Sequence, residues 1–211
     1  MHHEQIWGSK TAIGALGGTL KTFLASMLAL AALTSSSVAD EQFHCAKPGT
    51  VLSFSSGNSI TFTGQDGFNC VATNAAGRTV HAFLGLSTSS YFSKFHAEQL
   101  FPFKVGNRIE FEHQADNNHA VGSSVLNTTA VFYHDEIRVL RQEHLATKGG
   151  SFDTWVIEQH SETVGRSTGP GTWVTTYWWA PDFGYIVKLV EETRLGYGPN
   201  RVSELTAITG P

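Results

Sequence analysis

Eight histidines lie between residue 40 and the C-terminus, and they are the first side chains here that could hold a metal. His113 and His119 are near neighbours, and His134-Asp135-Glu136, His144 and His160 follow. None shows the H-E-x-x-H spacing that sets two imidazoles on one helix face, and no Cys/His cluster has zinc-finger spacing. On a strand, His113 would share a face with Phe111, the setting of a packed histidine rather than a ligand. Carboxylates pair at Glu110/Glu112 and Glu191/Glu192. Glycoside hydrolysis needs two carboxyls facing one another across the scissile bond. The first pair instead alternates onto the solvent face of a strand, and the second straddles a strand end. Serines are plentiful, but no G-x-S-x-G elbow occurs, since Gly85-Leu86-Ser87 lacks the closing glycine. Phosphate loops and dinucleotide fingerprints are absent as well. The expected catalytic residues, metal ligands and cofactors are therefore none. A non-enzymatic role is favoured. Because distant strand residues can converge, a metal-dependent or carboxylate-based envelope hydrolase is the alternative.

Binding chemistry is better represented than catalysis. The stretch Trp178-Trp179-Ala180-Pro181-Asp182-Phe183-Gly184-Tyr185-Ile186-Val187-Lys188 places two adjacent indoles before a proline turn. In an extended strand Trp173, Thr175, Tyr177 and Trp179 share one face, while Val174, Thr176 and Trp178 share the other. Pro181 suits an early turn position and Gly184 a positive φ at the turn's exit, so a hairpin with a four-residue loop is expected. Core packing is the plainer role of these rings. The sharper one makes Tyr177, Trp178, Trp179 and Phe183 the wall of an apolar ligand site. A lipid, another apolar molecule or an envelope protein would be the partner.

The elements that must position these residues follow an exported leader. Lys10 and Lys21 precede the apolar run Phe23–Leu33, and Ser37-Val38-Ala39 supplies the small residues that a signal peptidase reads. Residues 1–39 are therefore expected to be a signal peptide, with an uncleaved anchor as the alternative. The apolar run falls short of the roughly 20 residues of a membrane span, and no later stretch is long enough. After the leader, 12 basic and 17 acidic side chains remain. That balance argues against nucleic acid or an anionic membrane as partner. The two cysteines, Cys45 and Cys70, most simply form one disulfide in an exported chain. Periplasmic or secreted location in a Gram-negative-type bacterium is the expectation.

Short runs of β-branched and aromatic residues, broken by glycine and asparagine, predict strands joined by turns. Ser59–Thr63 alternates, Gly64–Gly67 is read as a turn, and Phe68–Ala72 returns. Arg108–His113, Ala130–His134, Ile137–Arg141, Phe152–Glu158, Thr172–Trp179, Tyr185–Glu191 and Val202–Ile208 follow. One helix candidate spans Ser89 to Leu100. The expected fold is all-β: about ten antiparallel strands in a curved sheet, partly closed barrel or sandwich. Residues 40–100 would form a small disulfide-tied meander and 101–211 a larger sheet packed with it as one unit.

The tryptophan stretch resembles the W-Y-A-P-x-x-G-x-V-x-K signature of small exported bacterial proteins without a known role. Trp179 stands where that signature has tyrosine. Gly150–Val156 is similar to their G-x-F-x-T-x-x-V strand entry, Leu100–Gly106 to their L-x-P-L-x-V-G segment, and Glu204-Leu205 to their closing pair. The resemblance covers roughly residues 100–208. It implies a curved antiparallel sheet like that of periplasmic lipoprotein carriers, and no catalytic residues.

Overall fold

The computed structural model describes residues 42–86, 92–121, 124–164, 170–196 and 200–211, without side chains for 115–130. All of them fall within the unit Ala39–Pro211. The expected leader lies outside the described residues. Ten strands form: β1 (Val51–Phe54), β2 (Ser59–Asp66), β3 (Asn69–Asn74), β4 (Thr79–Phe83), β5 (Arg108–Val121), β6 (Ser124–Thr147), β7 (Gly150–Val164), β8 (Thr172–Ala180), β9 (Tyr185–Leu195) and β10 (Arg201–Thr209). Helix α1 (Lys94–Leu100) lies between β4 and β5, and a 3-10 turn, Pro181–Phe183, joins β8 to β9. Among the described residues no helix is long and apolar enough to cross a membrane.

The strands make one antiparallel sheet in the order β4-β3-β2-β1-β10-β9-β8-β7-β6-β5. It is two meanders welded along β1 and β10, the register running from Val51 opposite Thr209 to Phe54 opposite Leu205. The sheet is not closed. β4 and β5 are its edges, so the connection between them must cross one whole face. That connection carries α1 and leaves its apolar side chains on the face it crosses.

Strand alternation decides what lies beneath it. Leu52, Ile60, Phe62, Cys70, Ala72, Ile109, Ile137, Ile157, Tyr177, Trp179 and Val187 meet Phe92, Ala97, Leu100, Phe101 and Phe103 of the crossover in a single core. Phe103 packs edge-on to Trp179 at 4.8 Å and Phe101 lies 6.4 Å from the same ring. The other face of β5–β8 is charged. Arg108, Glu110, Glu136, Arg138, Glu158 and His160 form side-chain pairs across and along it. The Arg138 guanidinium bonded to Glu136 holds that carboxyl below its ordinary range.

Three local features depart from the sequence pattern. Gly64 is not in a turn. The β2–β3 register slips between Phe62 and Gly64, so the glycine sits in a bulge and the chain turns later, at Gly67-Phe68. Asp135-Glu136 does not separate two strands, because β6 runs through it for 24 residues. The helix is shorter than Ser89–Leu100 and starts at Lys94, behind the Ser93 cap; residues 87–91 lie outside the described residues.

Candidate functional site

A cleft of about 450 Å³ opens where the two meanders part. Beyond Glu204, β10 leaves β9 and continues along β1 alone. The β1–β2 hairpin and the β9–β10 ladder therefore diverge on the crossed face. Phe54, Ile60, Val80, Tyr185 and Leu189 supply the apolar wall. Tyr185 stands edge-on to the buried Phe62 at 5.5 Å, which fixes the wall against the core. Burial raises the Tyr185 phenol to about 12, so it stays an uncharged O–H at any physiological pH. The rim is polar: Ser56, Asn58, Ser59, Asn74 and Ser203 line it. Ser56 and Ser203 bring their hydroxyls to 3.0 Å across the gap.

None of the four residues considered for a ligand wall, Tyr177, Trp178, Trp179 and Phe183, lines this cleft. Tyr177 is 9% exposed and donates its hydroxyl to Gln159 Oε1 at 2.8 Å. Trp179 is 2% exposed, and its indole N–H reaches the Leu84 carbonyl at 2.6 Å. Trp178, on the opposite face, is half-buried. Its N–H meets Glu143 at 3.0 Å and the Lys188 ammonium lies 4.9 Å from the ring. That indole hydrogen bond, with a second from Arg141, lowers the Glu143 carboxyl from its ordinary range. Phe183 sits in the 3-10 turn, 5.6 Å from Phe152. The hairpin loop has the four residues 181–184, with Gly184 left-handed at its exit. Cys45 and Cys70 are joined, with Cα atoms 5.6 Å apart. The nearest cleft residues in sequence, Tyr185 and Leu189, directly follow the tryptophan stretch. Their alternation from Val187 was the signal that could have found them.

A second constellation was not read from the sequence. Asp135 is 1% exposed in the middle of β6, on the crossed face. Its Oδ1 accepts from the Ser161 hydroxyl and, at 3.1 Å, from the Gln159 amide. Its Oδ2 lies 3.0 Å from His113 Nδ1. The His113 ring stacks on Tyr133 at 5.0 Å, and Tyr133 leans on Trp173 at 5.8 Å. Burial pushes the His113 imidazole below its ordinary value, and the facing Asp135 carboxylate offsets part of that. Serine, histidine and aspartate thus come together, but both Ser161 and His113 address the carboxylate. A hydrolytic triad needs the histidine between acid and nucleophile, and these contacts do not make that order. Among the described residues, no three His, Cys, Asp or Glu side chains gather as a metal site. Glu110 is engaged by Arg108 and Glu191 by Arg201. The arrangement suits holding β5, β6, β7 and β8 in register more than turning over a substrate.

No family model and no curated protein matches this chain. Among solved structures, similarity is found at low TM-score. The hypothetical lipoprotein YmcC of Escherichia coli is 11% identical, with a TM-score of 0.42, over 69% of this chain and 81% of its own. A candidate exported protein of Bacteroides fragilis with a YmcC-like fold is 12% identical, with a TM-score of 0.39, over 80% of this chain and 99% of its own. A candidate lipoprotein of Parabacteroides distasonis is 13% identical, with a TM-score of 0.38, over 79% and 98%. No ligand or activity is carried over from them.

Proposed function

We propose that this is an exported, periplasmic or secreted, non-enzymatic protein that holds an apolar ligand in the cleft between its two meanders. The observation that carries the reading is the cleft itself. Its volume falls in the range of about 300–1,000 Å³ usual for small-molecule sites, and such sites are mostly apolar with a few polar groups. Phe54, Ile60, Val80, Tyr185 and Leu189 beneath a serine and asparagine rim match that description. The leader-like N-terminus and the Cys45–Cys70 cystine support export to an oxidising compartment.

The test combines recovery and occlusion. Native mass spectrometry of protein taken from its own envelope should show a co-purifying apolar species. An environment-sensitive fluorescent fatty-acyl probe should bind the purified protein, and Val80→Trp should abolish that binding while thermal unfolding remains cooperative. A probe that binds Val80→Trp as well as the parent would remove the cleft from consideration.

A further inference from the structure

Both cations that border the cleft are already committed to acids. Arg201 Nε lies 2.6 Å from Glu191 Oε2; the carboxylate is 16% exposed and the arginine side chain 61%. Lys188 sends its ammonium to the opposite face, 3.6 Å from Glu204 and 4.9 Å from the Trp178 ring. The register agrees, since Lys188 stands opposite Trp178 and Glu204, not opposite the cleft wall. No carboxylate is among the described residues that line the cleft. Apart from these two ion pairs, the polar groups that greet a head are hydroxyl and amide: Ser56, Asn58, Ser59, Asn74 and Ser203. These groups both donate and accept, the pairing that alcohols, esters and amides need.

We infer that the cleft selects an uncharged amphiphile, an acyl chain carrying a hydroxyl, ester or amide head, over the corresponding carboxylate or phosphate. The inference rests on the cleft being a ligand site at all. An anionic head placed at this rim would have to share Arg201 with Glu191, a like charge held in place, or lie desolvated without a partner. A cationic head would find no acid among the described lining residues. The protein's net negative charge adds a further, longer-range bias against anions.

Displacement of a bound fluorescent acyl probe by monoolein, oleate and lysophosphatidylglycerol, at pH 8 and low salt, tests it. Monoolein should displace the probe at about tenfold lower concentration than either anion, a difference of about 1.4 kcal/mol. Glu191→Gln, which releases Arg201, should shrink that ratio by improving the anions without weakening monoolein. Equal displacement by all three, or an advantage for oleate or the phosphate, overturns the inference while leaving the cleft as a ligand site. Failure of all three to displace, with probe binding untouched by Val80→Trp, overturns both.

Discussion

Trp179 donates its indole N–H to the carbonyl of Leu84 across 2.6 Å, joining β8 to the turn after β4, 95 residues away in the chain. Leu84 is fully buried and holds a positive φ of 50°, so its carbonyl is turned out of the β4 ladder toward the tryptophan. One side chain of the aromatic hairpin therefore ties the disulfide-bearing meander to the larger one. Replacing Trp179 by Phe keeps a ring but leaves the buried acceptor orphaned, at a cost of about 1–3 kcal/mol. Trp178→Phe removes a half-exposed bond to Glu143 and should cost less. Urea unfolding of the two variants decides it. A larger loss for Trp178→Phe would refute the assignment of Trp179 as the tie.

Reducing the cystine should weaken the protein without unmaking the sheet. A cross-link between residues 25 apart removes about 3.5 kcal/mol of unfolded-state freedom in the chain-entropy model. The segment around Cys45 keeps other ties, because Cys45 N–H bonds Gln65, Gln65 bonds the Phe43 carbonyl and Ala46 N–H bonds Phe183. The urea midpoint should fall on reduction while the far-ultraviolet strand spectrum persists. Loss of that spectrum at zero urea would show that the cystine holds the fold rather than steadies it.

His113 should make stability depend on pH in a defined direction. Burial lowers its folded pKa below the unfolded value, with Asp135 pulling the other way. The folded state thus binds fewer protons than the unfolded one. The stabilisation is present above the ordinary histidine value of about 6.5 and is lost as pH falls below it toward the lowered native value. Tm should drop between pH 7.5 and pH 5, and His113→Gln should flatten that drop. An unchanged pH profile in His113→Gln would assign the acid sensitivity to other groups.

Where the sequence spoke and where it did not can be traced to range. The Trp173–Val187 hairpin was legible because period-two alternation, Pro181 and Gly184 all act within a few residues. The cystine was legible because only two cysteines exist. Asp135 was misread as a strand break, since an acid in mid-strand is locally disfavoured. Three partners from β5 and β7 override that preference, and none of them is a neighbour in sequence. Gly64 looks like a turn glycine but occupies a bulge, a difference that depends on the opposing strand. The cleft was invisible for the same reason. It exists because β10 changes partner at Glu204, and its wall is assembled from four hairpin segments. Local pattern located the aromatic rings, and core packing, the plainer role, is the one that Tyr177 and Trp179 take, whereas Trp178 and Phe183 are only partly buried.

Gly184 and Gly67 separate backbone strain from crowding. Their φ values are 56° and 57°, so alanine pays the same left-handed penalty at either position, about 1–2 kcal/mol. Around Gly67 an added Cβ would meet nothing within 4 Å. At Gly184 it would stand 1.9 Å from the His44 carbonyl oxygen and 3.2 Å from the Phe43 ring. The Gly184 carbonyl is in turn packed against Gly85, where an added Cβ would lie 2.2 Å away. The hairpin exit, the segment leading to Cys45 and the turn after Leu84 are thus pressed together with room for hydrogen only. Gly184→Ala should therefore cost well beyond the strain measured in Gly67→Ala. It should also speed reduction of the cystine by dithiothreitol, because the segment bearing Cys45 must lift to admit the methyl. Equal losses in the two variants would mean that this junction yields easily and that Gly184 is kept for its backbone angle alone.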